Sequence, residues 1–97
     1  MPILARYEQQ PGETLDYDFD FYTNFLSTLG DTAPGPGGLV VTVEPGLTLQ
    51  SSSLTDGRVK VWLSGGKDGS GYKVTATVTT TGGRVKQAEI YVKVKEV

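Results

Sequence analysis

Residues 14–21 alternate strictly between polar and apolar side chains. Successive side chains of a β-strand point to opposite faces, so this alternation predicts a strand with one buried face and one wet face. The predicted buried face carries Leu15, Tyr17, Phe19 and Phe21, and the wet face carries Thr14, Asp16, Asp18 and Asp20. The period then lengthens to four residues through Phe25 and Leu29, which predicts one short helical turn near residues 22–30.

The rest of the chain repeats the strand pattern between turn signals. Strands are predicted at residues 39–44, 47–50, 58–64, 72–81 and 84–94. Asp56-Gly57 is the dipeptide of a two-residue hairpin turn, and Gly82-Gly83 predicts another tight turn. Short strands at this spacing predict an all-β, immunoglobulin-like β-sandwich of about seven antiparallel strands. Tyr72, early in the penultimate strand, is where such folds place a tyrosine whose hydroxyl bonds the backbone.

The length of the chain, 97 residues, corresponds to a single domain. Pro2, Pro11 and Gly12 interrupt any regular element near the start, so we expect residues 1–13 to form an N-terminal arm. The sandwich is then expected to span residues 14–97.

Composition narrows the chemistry that the chain can perform. The sequence has no cysteine and no histidine, which excludes thiolate chemistry, thiolate zinc sites and histidine acid–base catalysis. We therefore expect a protein that is not an enzyme and uses no cofactor. With a net charge of −2 and no basic stripe, we also expect no nucleic-acid partner. No apolar run has the length of about 20 residues that a membrane helix needs, so we expect no membrane partner either.

The three aspartates of the first predicted strand are the best candidates for a cation site. Asp16, Asp18 and Asp20 share one face, but same-face side chains along a strand are about 6.6–7 Å apart. One cation with ligands at about 2.4 Å cannot bind all three without a bend in the strand. An acidic solvent face is the favoured interpretation, and we predict no metal site.

Trp62 is the most informative single residue for partner binding. By alternation it shares a face with Arg58 and Lys60 rather than with the apolar residues between them. It is therefore either an exposed interface anchor or a core tryptophan brought inward by a bulge, and the pattern leaves both open. Tyr22 follows a dense aromatic run that cannot all be buried in one direction. The candidate interface residues are thus Trp62, Tyr22, Arg58 and Lys60.

Four segments of the sequence resemble a known family. They are LDY at 15–17, VKVWLSGG at 59–66, GYKVT at 71–75 and TTGGR at 80–84. Their order and spacing resemble the fiber–tail adaptor proteins of bacteriophages and prophages, over roughly residues 14–95. The resemblance implies a structural protein of the virion that links the tail or baseplate to receptor-binding fibers, and it implies no catalytic residues.

Several further expectations accompany this resemblance. The expected partners are phage tail, baseplate or fiber proteins, together with other copies of the chain in a symmetric ring. The expected location is the virion, with the host cytoplasm during assembly. The alternative function is an immunoglobulin-like module that binds carbohydrate or another surface, for which an exposed aromatic beside carboxylates would serve as the platform.

Overall fold

The computed structural model describes residues 3–21, 30–33 and 38–96 of the chain. These residues contain seven strands: β1 (Ile3–Gln9), β2 (Thr14–Asp20), β3 (Leu39–Val43), β4 (Leu47–Thr55), β5 (Arg58–Gly65), β6 (Gly71–Thr79) and β7 (Val85–Val94). One sheet has the order β1-β7-β6-β3 and the other has the order β2-β5-β4. The predicted all-β, immunoglobulin-like sandwich is confirmed.

The core lies between the two sheets and is built from the alternate residues of each strand. Phe19, Phe21, Leu63 and Ile90 are its largest fully buried apolar side chains. The outward residues of the same strands are mostly polar, with Trp62 and Val85 as exposed apolar exceptions, so each sheet buries one face and exposes the other. The described part of the chain contains no helix with the length and hydropathy needed to cross a membrane.

The turns adopt the conformations that their residues favour. Asp56 and Gly57 have φ angles of 48° and 77°, so both central residues of the β4–β5 turn are left-handed. This conformation suits a two-residue hairpin and explains why an Asp-Gly pair occupies it. Tyr72 is buried, and its hydroxyl accepts a hydrogen bond of 2.9 Å from the backbone N–H of Lys67. That contact matches the tyrosine position expected near the start of the penultimate strand.

The start of the chain differs from the sequence expectation. Residues 3–9 are strand β1 rather than part of an arm, and β1 pairs with β7 in parallel, whereas the expected sandwich was antiparallel. The physical reason is burial, because Ala5 and Tyr7 pack against the core and Gln9 is only 2% exposed. The helical turn predicted near residues 22–30 falls almost entirely on residues 22–29, which lie outside the described part of the chain.

Candidate protein-binding face

The outward surface of the β2-β5-β4 sheet brings most of the candidate residues together, and we call it the outer face. It consists of three rows, one from each strand, in register across the sheet. The β2 row is Asp16, Asp18 and Asp20; the β5 row is Trp62, Lys60 and Arg58; the β4 row is Ser51, Ser53 and Thr55. A basic and aromatic row therefore lies between an acidic row and a row of hydroxyls.

Ion pairs connect the acidic row to the basic row. Lys60 Nζ lies 3.2 Å from Asp16 Oδ2 and 3.8 Å from Asp18 Oδ1, and Arg58 Nε lies 3.7 Å from Asp20 Oδ1. Exposed pairs of this kind contribute at most about 1 kcal/mol each to stability. Their effect is to give each aspartate a cationic neighbour. Among the described residues, no three acidic side chains are close enough together to hold one metal ion.

Trp62 lies on this face with 40% of its surface exposed. Of the two interpretations that the sequence left open, the structure shows the exposed one, because β5 keeps its alternation through Trp62 without a bulge. The side chains of Arg58 and Lys60 are also about half exposed, at 54% and 46%. Tyr22 lies outside the described residues. The role of these four residues in an interface remains a prediction.

A shallow groove crosses the outer face near the Asp56-Gly57 turn. Its volume is about 430 Å³. Asp18 and Asp20 line one side, Ser53 and Thr55 line the other, and Arg58 lies between them. The groove is open to solvent, so it offers a surface to a protein partner rather than an enclosed site for a small molecule.

Gln9 forms a buried polar tie between the two sheets that the sequence pattern did not reveal. Its Nε2 donates hydrogen bonds to the carbonyls of Glu13 (2.8 Å) and Leu63 (3.0 Å). Its Oε1 accepts a hydrogen bond of 2.8 Å from the Tyr17 hydroxyl. Burial, with a smaller contribution from the nearby Glu13 carboxylate, raises the pKa of Tyr17 to about 12. The phenol therefore stays protonated and able to donate.

Asp31 forms a second tie, at the end of the sandwich that carries the β6–β7 turn. Its carboxylate accepts hydrogen bonds from Thr80 Oγ1 (2.5 Å), Arg84 Nη1 (2.8 Å) and the backbone N–H groups of Thr32 (2.8 Å) and Gly82 (3.0 Å). The Thr80 hydrogen bond is the main cause that holds the pKa of Asp31 well below its usual range. Three of its four donors are distant in the sequence, so the local sequence pattern did not identify this buried charge.

Comparison with known proteins agrees with the resemblance drawn from the four sequence segments. The family model described as podophage GP4 fiber-tail adaptor protein gp77 matches residues 9–93, which is most of the chain. No curated protein matches the chain. The match begins at Gln9, the last residue of β1, and ends at Lys93, within β7, so it includes the other six strands almost entirely and the whole outer face. The chain belongs to the podophage fiber-tail adaptor family.

Proposed function

We propose that the chain links the tail or baseplate of a phage to its receptor-binding fibers by docking a partner protein on the outer face. Membership of the adaptor family supports a place in the virion among tail and fiber proteins. The observation that carries the proposed contact is the exposure of Trp62 in the central row of an open sheet face.

The surroundings of Trp62 suit an interface anchor. A tryptophan side chain offers a large apolar contact area, and burying it against a partner gives more free energy than burying a small side chain. Trp62 is flanked across the sheet by Asp16 and Ser51, which are polar and solvated. An apolar centre with a polar rim is the usual anatomy of a specific protein–protein interface.

The proposed role is structural. The absence of histidine and cysteine from the sequence supports a function without catalysis or a cofactor. We also include self-association in a symmetric ring, since several fibers attached to one tail require several equivalent binding sites. Assembly would begin in the host cytoplasm, where the chain is made.

The test measures binding of the full chain to the tail and fiber proteins encoded beside it. We expect Trp62→Ala to raise the dissociation constant for at least one of them roughly 30-fold, the cost of a typical hot spot. The matched control is Val85→Ala, because Val85 is an exposed apolar residue, 62% accessible, on the other sheet. Unchanged binding by Trp62→Ala, or equal loss by the control, would contradict the proposal.

Carbohydrate binding is the second candidate, because Trp62 and Asp16 pair an aromatic ring with a carboxylate on adjacent strands. The contact between Lys60 and Asp16 makes this less favourable, since the carboxylate already has a cationic partner. A glycan array separates the two functions. Glycan binding that is lost in Trp62→Ala, with no affinity for tail or fiber proteins, would favour the second candidate.

A further inference from the structure

The four edge strands of the sandwich differ in how they discourage pairing with another chain. Edge strands of natural proteins are usually short or carry charges and prolines. Strand β1 carries Arg6 and Glu8, β2 carries three aspartates, and β3 has five residues. Strand β4 has nine residues, LTLQSSSLT, with no charge and no proline. Among the described residues, β4 is therefore the edge with neither charge nor short length to protect it, and the register shift between Leu49 and Ser51 leaves its segment 51–55 regular.

The opposite edge of the same sheet has a surface complementary to β4. Strand β2 presents a row of carboxylates, and the side chains of Asp16 and Asp18 remain 39% and 65% exposed despite their contacts with Lys60. Strand β4 presents hydroxyl groups, which can donate hydrogen bonds to carboxylates. Within the described residues, β2 and β4 each pair with β5 alone, so the segments used here, residues 16–18 and 51–53, each have a second backbone edge for a strand.

The two rows also match in register. Asp16 and Ser51 are both paired with Trp62, and Asp18 and Ser53 are both paired with Lys60. A copy of the chain displaced sideways, without a shift along the strands, would therefore bring each aspartate opposite a serine. The register shift of β4, between Leu49 and Ser51, adjoins this matched segment, and the pairing is regular from Ser51 onward.

We propose that β4 of one copy pairs with β2 of a second copy, so that the three-stranded sheet continues from molecule to molecule. Both strands run antiparallel to β5 and hence parallel to each other, as β1 and β7 already do within the sandwich. The contact joins two different surfaces, so it repeats head to tail and closes into a ring if the rotation permits. This inference deepens the self-association in the proposed function. Such an assembly would present one outer face, with its Trp62, for each copy of the chain.

The test is sedimentation equilibrium of the full purified chain, without tail or fiber proteins, from micromolar to near-millimolar concentration. The chain should self-associate. Ser51→Asp with Ser53→Asp places carboxylates opposite those of Asp16 and Asp18 and should weaken association roughly 2- to 25-fold. Circular dichroism checks that each variant is folded.

The reciprocal variant, Asp16→Ser with Asp18→Ser, should also weaken association, because hydrogen bonds between two hydroxyls replace the stronger hydrogen bonds from hydroxyl to carboxylate. Mixing it with the Ser51→Asp/Ser53→Asp variant should restore association, since every contact in an alternating assembly then joins a carboxylate row to a hydroxyl row. A monomeric wild type at every concentration would overturn the inference. Association as strong as that of the wild type in either variant would also overturn the inference. If only the Ser51→Asp/Ser53→Asp variant lost association, β4 would pair with β4 of the second copy instead.

These outcomes are separable from those of the adaptor proposal. A monomeric chain that still captures tail or fiber proteins through Trp62 would overturn the strand pairing and leave the adaptor role intact. Association that follows the pattern above, with no capture of tail or fiber proteins, would support the pairing and contradict the adaptor role.

Discussion

Replacing Gln9 tests whether one buried amide holds the two sheets together. Gln9→Leu keeps a side chain of similar size but removes three hydrogen bonds, to the carbonyls of Glu13 and Leu63 and from the hydroxyl of Tyr17. Each bond contributes about 1 kcal/mol net, so the free energy of unfolding should fall by about 3 kcal/mol. For a domain of this size, that loss lowers the Tm by roughly 12–24 °C.

Urea unfolding followed by far-ultraviolet circular dichroism measures this loss. The matched control is Gln10→Ala, because Gln10 is exposed and its backbone N–H, which bonds the Glu13 carboxylate, is retained. The control should change the free energy of unfolding by less than about 0.5 kcal/mol. A Gln9→Leu protein as stable as this control would refute the reasoning.

A double-mutant cycle with Tyr17→Phe isolates one of the three bonds. Tyr17→Phe alone leaves Gln9 Oε1 without its partner in a buried position. In the Gln9→Leu background this penalty disappears, so the double variant should be about 1 kcal/mol more stable than additivity predicts. Strictly additive losses would show that the amide and the hydroxyl do not depend on each other.

Two further predictions concern the stability of the protein at acidic pH and the close contact between Gly71 and Tyr91 in the four-stranded sheet. Because the pKa of Asp31 is lowered in the folded chain, the unfolded chain takes up a proton at this carboxylate first as the pH falls. The carboxylate should therefore stabilise the fold fully above about pH 5, and this stabilisation should be lost as the pH falls from about 4 toward the folded pKa. Asp31→Asn should lower the Tm at pH 7 and flatten this dependence in thermal melts between pH 2 and 7. A Cβ at Gly71 would overlap the Tyr91 ring, so Gly71→Ala should lower the free energy of unfolding by about 1 kcal/mol. In a Tyr91→Ser background, where the ring is absent, the same substitution should leave the free energy of unfolding unchanged.

The sequence predicted the strands whose inward positions are apolar. Strands β2, β5, β6 and β7 alternate because one face of each packs between the sheets, and this parity also put Trp62 on the outer face. The sequence alone did not decide whether Trp62 is buried, because an alternating pattern does not exclude a bulge that turns one side chain inward. The register with Asp16 and Ser51, which shows that there is no bulge beside Trp62 in β5, comes only from the structure.

Strand β1 was missed because a polar residue occupies one of its inward positions. Ala5 and Tyr7 alternate with Arg6 and Glu8, but the next inward residue is Gln9, whose burial is favourable only with its three hydrogen bonds. Two of those partners, Leu63 and Tyr17, come from the other sheet, and the third is the backbone carbonyl of Glu13 just before β2, so no side-chain pattern reveals them. The burial of Asp31 was unpredictable for the same reason, since most of its donors lie 49 or more residues away.

The positions of these polar ties explain why binding and stability should be separable on the outer face. Gln9 bonds β5 near its end at Leu63, and the segment of Asp31 contacts the turn before β5, where Ala33 accepts a hydrogen bond from Gly57. Between them, the inward residues of β5 are fully buried, while the side chain of Trp62 on the outer face makes no hydrogen bond among the described contacts. Trp62→Ala should therefore weaken partner binding while its urea midpoint stays close to that of the wild type. A large fall in that midpoint would mean that Trp62 serves the fold and not a partner.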